Sequence, residues 1–122
     1  MRGAVRQIIV IDDDAGVRQS LEFLLETAGY AVECFGSAPH YLAVLQPATV
    51  ICLIVDQRMP EMTGLEFLAD LRRRGIHLPA ILITGSPSPD VMQRAAALDV
   101  RDVLPKPLVA DGLLRFVAAA AR

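Results

Sequence analysis

Five short apolar runs alternate with five amphipathic stretches along this chain, and the alternation predicts an α/β fold: a doubly wound, three-layer sandwich in which a parallel sheet carries helices on both faces. Two further observations support it. The third run, Val50 to Val55, is apolar without a break, as suits a central parallel strand covered on both sides. Capping residues stand at the start of most of the amphipathic stretches.

The elements follow in order. Val5 to Ile11, rich in β-branched residues, is the first strand. Asp14 caps a helix whose apolar positions Val17, Leu21, Leu24 and Ala28 form one face, and Gly29 stops it. Ala31 to Phe35 is the second strand. Ser37 caps a second helix with Tyr41, Leu42 and Leu45 on its buried side, running to Pro47. After the central strand, Thr63-Gly64-Leu65-Glu66 is a capping box that opens a third helix, with Phe67, Leu68 and Leu71 as core residues and Gly75 as its end. Ala80 to Thr84 is the fourth strand. Ser88-Pro89-Asp90 supplies a cap, a proline at the first helical position and an early acid for the fourth helix. Arg101 to Leu104 is a shorter last strand, and a final helix runs from about Ala110 to the end. Right-handed crossovers leave few ways to arrange five parallel strands. The flavodoxin-like order 2-1-3-4-5 is the expected one.

Composition bounds the function. The 122 residues fit one domain, and 53% hydrophobic with 21% charged residues supply a sizeable core. A net charge of -2 leaves no electrostatic footprint for nucleic acid, so no direct nucleic-acid binding is expected. No apolar run reaches the roughly 20 residues of a membrane helix, and the N-terminus lacks a secretory signal pattern. Cys34 and Cys52 stand in apolar segments without metal-ligand spacing and read as buried, reduced thiols of a cytoplasmic protein. His40 and His77 read as surface histidines, and Arg72-Arg73-Arg74 as a solvated face at a helix end. Eleven of the 12 basic residues are arginine; the one lysine is Lys106, between Pro105 and Pro107.

In such a sheet, ligands bind beyond the carboxyl ends of the strands. There the first strand delivers Asp12-Asp13-Asp14, the third Asp56, the fourth Thr84 and the fifth Lys106. Carboxylates crowded together repel, and a divalent cation relieves them. Hard oxygen ligands suit Mg²⁺. Asp14 is read only as a helix cap. Asp56, which abruptly ends six apolar residues, is a candidate nucleophile, because carboxylates form aspartyl phosphates. Around a phosphoryl group there, Lys106 can pair with one oxygen as a point charge and the Thr84 hydroxyl can donate to another.

The motifs Val10-Ile11-Asp12-Asp13, Val55 through Gly64, Ile83-Thr84-Gly85 and Lys106-Pro107 resemble those of two-component response regulator receiver domains, over essentially the whole of residues 1–122. Gln57 to Gly64 is most similar to the FixJ-type subfamily, whose members usually carry a LuxR-type DNA-binding domain. The resemblance implies a phosphorylation-dependent switch. Asp56 would accept phosphate from a sensor histidine kinase. Asp12, Asp13, Asp56 and the backbone carbonyl of Arg58 would hold Mg²⁺, and Thr84 and Lys106 would read the phosphorylated state. It also implies a cis Lys106-Pro107 bond, an altered surface on the fourth helix, fifth strand and fifth helix, and a phosphorylation-dependent dimer. The Ala-rich ending fits a single-domain regulator and a longer chain equally.

The departures from the family pattern fall in the last two units. Val103 replaces the usual aromatic residue, Asp99-Val100 the usual Gly-Ala, Leu108 a phenylalanine, and Val109 a polar helix cap. Three other classes fit the sequence less well. A Mg²⁺-dependent phosphatase of the haloacid dehalogenase type usually has a second Asp two positions past its nucleophile, where Arg58 stands. A nucleotide or flavin module lacks its glycine-rich signature here. The complete set Asp12, Asp13, Asp56, Thr84 and Lys106 argues against a receiver that never takes phosphate.

Overall fold

A computed structural model describes residues 6–122. Five parallel strands form one sheet in the order 2-1-3-4-5: β1 (Gln7–Ile11), β2 (Val32–Phe35), β3 (Val50–Asp56), β4 (Ala80–Thr84) and β5 (Asp102–Pro105). The predicted start at Val5 lies outside the described residues. β5 is displaced one residue from the expected span. It includes Pro105, which an edge strand tolerates because one side of its ladder is unpaired.

Strand alternation divides the core into two layers. Ile8, Val10, Cys52, Ile54, Ile81 and Ile83 face α1 (Ala15–Thr27) and α5 (Ala110–Ala120), meeting Leu21, Leu25, Leu113 and Val117. Ile9, Ile11, Leu53, Val55, Ala80 and Leu82 face α2 (Ala38–Leu42), α3 (Gly64–Arg73) and α4 (Pro89–Ala97). All seven residues of β3 are buried, as its apolar run predicts.

Several sequence expectations hold. Asp14 caps α1 through Gly16 and Val17, Thr63 and Glu66 form the capping box of α3, and Ser88 caps α4 through Val91. Gly29 and Gly75 end their helices with φ of 99° and 77°. Others are corrected. Ala28 is exposed just past the end of α1, and Leu25 takes the buried place expected of it. α2 stops at Leu42, far short of Pro47, and a 3₁₀ turn (Pro47–Thr49) follows. The Val44 and Leu45 amides bond three residues back, tightening the chain out of the helix. Pro47 brings no N–H and pushes Gln46 off helical dihedrals. Cys34 is only half-buried, because β2 is an edge strand.

The arginine run divides. Arg73 and Arg74 pair with Asp70 on the surface. Arg72 instead folds inward and donates to the Leu98 carbonyl at 2.9 Å and to those of Ile76 and Leu78, each at 3.0 Å. One guanidinium thus ties the end of α4 to α3 and the loop entering β4. On the same side of the sheet, Tyr41 packs edge-on against Phe35 and Phe67, with ring centroids 5.0 and 6.0 Å away. Its hydroxyl is buried and has no hydrogen-bond partner among the described residues.

Candidate functional site

The polar residues of the strand ends meet at the carboxyl edge of the sheet. Asp12 is 1% exposed and Asp56 3% exposed, while Asp13 points to solvent. Asp12, Asp13 and Asp56 each offer an oxygen within 4.8 Å of the others. Lys106 reaches in from beyond β5. Its ammonium donates to Asp56 Oδ1 at 3.0 Å and lies 3.6 Å from Asp12 Oδ2. The Lys106-Pro107 bond is cis, as the resemblance implied.

Local hydrogen bonds hold the acids. Asp12 Oδ1 accepts from the Asp14 amide at 2.9 Å. Asp14 itself is turned to its capping duty, as read from the sequence. The buried Thr84 stands at the end of β4, where its carbonyl accepts from the Lys106 amide at 3.0 Å and its hydroxyl accepts from the Ser86 amide at 3.1 Å. The hydroxyl proton is therefore free to be donated. Arg58, two residues past Asp56, has an exposed side chain.

Two residues of the Val55–Gly64 motif have roles that sequence reading left open. The Gln57 amide donates to Ile83 at 2.8 Å, its carbonyl accepts from Gly64 at 3.1 Å, and its side-chain oxygen accepts from Leu65 at 2.9 Å. That side chain seats the start of α3 against the strand that carries Asp56. Gly64 permits the seating: a β-carbon there would stand 2.5 Å from the Asp56 carbonyl oxygen and 2.7 Å from Leu82 Cδ1. Its place within the capping box signals a helix start rather than a close approach.

The electrostatics are those of an acid cluster held back from ionising. Burial pushes the Asp56 carboxyl above its ordinary range; the Lys106 hydrogen bond opposes this, and the charge of Asp12 adds to it. Burial likewise raises Asp12, against the Asp14 amide and Lys106. Burial alone would lower Lys106, but the hydrogen bond it donates to Asp56 and the charges of both acids outweigh it and hold the ammonium protonated. Asp12 Oδ2 is buried without a hydrogen-bond partner. An orphaned oxygen in a set of three carboxylates is the donor chemistry of a hard divalent cation, so these residues fit one.

Fold and site together define a doubly wound α/β domain with a lysine-countered acid pocket at its carboxyl edge. The family profile of the response regulator receiver domain matches residues 8–118, and the chain belongs to that family. It is a FixJ-like receiver, a signalling domain of two-component systems. It is 40% identical over 110 residues to the transcriptional regulatory protein FixJ of Azorhizobium caulinodans, covering 90% of this chain and 52% of that one. It is 37% identical over 113 residues to nodulation protein W of Bradyrhizobium diazoefficiens, covering 93% of this chain and 50% of that one. The chain therefore spans about half the length of these curated relatives. The solved chemotaxis protein CheY4 of Vibrio cholerae superposes with a TM-score of 0.85 at 30% identity, covering 96% of this chain and 99% of that one. Among the described residues no helix is long and apolar enough to cross a membrane.

Proposed function

We propose that Asp56 is the phosphoacceptor of a switch operated by a sensor histidine kinase in the cytoplasm, with residues 1–122 as one receiver domain. The observation that carries this is the Lys106 ammonium 3.0 Å from a buried Asp56 oxygen, inside a ring of acids that fits a divalent cation. The unprotonated Asp56 oxygen attacks the phosphorus of a phosphohistidine. A P–O bond forms as the P–N bond breaks, and the imidazole leaves with that electron pair and is neutral once protonated. Lys106 holds one phosphoryl oxygen as a point charge, and Thr84 turns its free hydroxyl proton to another. Asp12, Asp13, Asp56 and the Arg58 carbonyl would hold Mg²⁺, which supplies neutralisation of the charge gathered on the phosphoryl group. The domain thereby promotes its own phosphorylation and acts as no general hydrolase.

FixJ is named as a transcriptional regulatory protein, which supports a transcriptional output; a LuxR-type DNA-binding domain and a phosphorylation-dependent dimer are the proposed ends of this switch. The test is mass spectrometry after treatment with a small phosphodonor and Mg²⁺. One phosphoryl group should add to the unaltered chain and none to Asp56→Asn. Stoichiometric phosphorylation of Asp56→Asn, or rapid turnover of generic phosphomonoesters by the unaltered chain, would overturn the reading.

A further inference from the structure

We infer that Arg18, on the first turn of α1, is a positioning residue for the cation-binding acids; this rests on the metal reading of the site. β1 ends at Ile11, and the Asp12 amide still bonds to Phe35 at 3.1 Å. The Asp12 carbonyl is the first group past the ladder, and the Arg18 guanidinium donates to it at 2.7 Å. This is a short charge-assisted bond on the very residue whose buried carboxylate Oδ2 has no hydrogen-bond partner and only the Lys106 ammonium, 3.6 Å away, as an ionic one. The guanidinium lies against Gly36, just past β2, where a β-carbon would meet Arg18 Nη1 at 3.4 Å, a van der Waals contact. Among the described residues no carboxylate forms an ion pair with Arg18, so surface charge pairing does not account for its half-buried place.

The geometry divides the labour at Asp12. The Asp14 amide fixes one carboxylate oxygen and Arg18 fixes the carbonyl, so rotation of the Asp12-Asp13 peptide, which would swing both acids, is blocked from two sides. In the sequence Arg18 stands four residues past the Asp14 cap, and the fold turns its side chain back over the strand end. Outer-shell partners of this kind commonly change metal affinity by roughly 10–100-fold when removed.

The experiment is calorimetric titration with Mg²⁺ alone of the unaltered chain, Arg18→Met, Arg18→Lys and Arg72→Met. Arg18→Met should lose about tenfold in affinity, and Arg18→Lys, which keeps a charged donor, should recover most of it. Arg72→Met removes three carbonyl contacts elsewhere and should cost stability while leaving Mg²⁺ affinity unchanged. If Arg18→Met does not fold, Arg18→Gln, polar but too short for the contact, is held to the same expectation. Affinity in the Arg18 variants equal to that of the unaltered chain would overturn the inference. So would an equal loss in Arg72→Met, which would show general destabilisation. Absence of Mg²⁺ binding by the unaltered chain would overturn the metal reading itself, a result distinct from either.

Discussion

Asp12 and Asp56 are carboxylates that the fold holds against their own solvation, and this gives the site a sign that can be measured. Both have native values raised above those of the unfolded chain. Their contribution to stability is therefore full below the ordinary carboxylate value of about 4 and is lost as pH rises through the raised native values. The metal-free chain should melt at a higher temperature in mildly acidic buffer than at neutral pH, and saturating Mg²⁺ should shrink that gap, since a cation stabilises the ionised acids. Scanning calorimetry with a chelator and with Mg²⁺ checks both. For the same reason Asp56→Asn should raise the metal-free melting temperature at neutral pH by roughly a few degrees, because it removes a buried charge from a like-charged cluster. A lower melting temperature for this variant would show that the Lys106 pair outweighs the repulsion. At Lys106, replacement by Arg keeps the charge but spreads it over a broad plane. Phosphorylation should survive and the structural response to it should fall, as read by comparing amide exchange of the two forms.

The elements show where sequence pattern carries information and where it stops. Asp14, Thr63 and Ser88 were legible as caps because capping is a local contract between one side chain and the next three amides. The early end of α2 was not legible, because Tyr41, Leu42 and Leu45 keep a helical period although the chain has already left the helix. Nor was Arg72, which looks identical to Arg73 and Arg74 until α4 is brought beside it. Arg72→Met should cost about 2–3 kcal/mol in urea denaturation, since three carbonyls lose a charged donor. Asp99, where the family usually has glycine, stands in a left-handed turn with φ 58°, so Asp99→Gly should stabilise by a few tenths of a kcal/mol or more in the same assay. Val109 makes no cap bond at the start of α5, and Val109→Ser should add about 0.5–1 kcal/mol.

At the scale of the molecule, the strand order and the convergence of Asp12, Asp56 and Lys106 were readable, because a parallel sheet places every strand's carboxyl end on one edge. The close packing of Gly64 on Asp56 was not, since it depends on where a whole helix is seated. Signal transmission belongs to this scale. Val103 is half-buried and packs against the core layer beneath α2, α3 and α4. It is compact and stiff about its single side-chain torsion. Coupling needs an element with two arrangements, and this side chain sweeps little volume between any two. A beryllofluoride phosphate mimic should therefore shift the isolated domain from monomer to dimer only modestly, as read by sedimentation. A large shift to dimer would show that the switch passes through α4 without an aromatic lever.

The unpartnered hydroxyl of Tyr41 also makes the chain an optical instrument. There is no tryptophan and there are only two tyrosines, so near-ultraviolet absorbance above the phenylalanine bands comes from Tyr30 and Tyr41. Burial, with the charge of Glu33, pushes the Tyr41 phenol up to about 12. Alkaline titration should thus show one phenol ionising late, and Tyr41→Phe should erase that late step with little loss of stability, because no hydrogen bond is given up. The interior at the β2–α2 corner then reports its integrity by colour, with no dye or label attached.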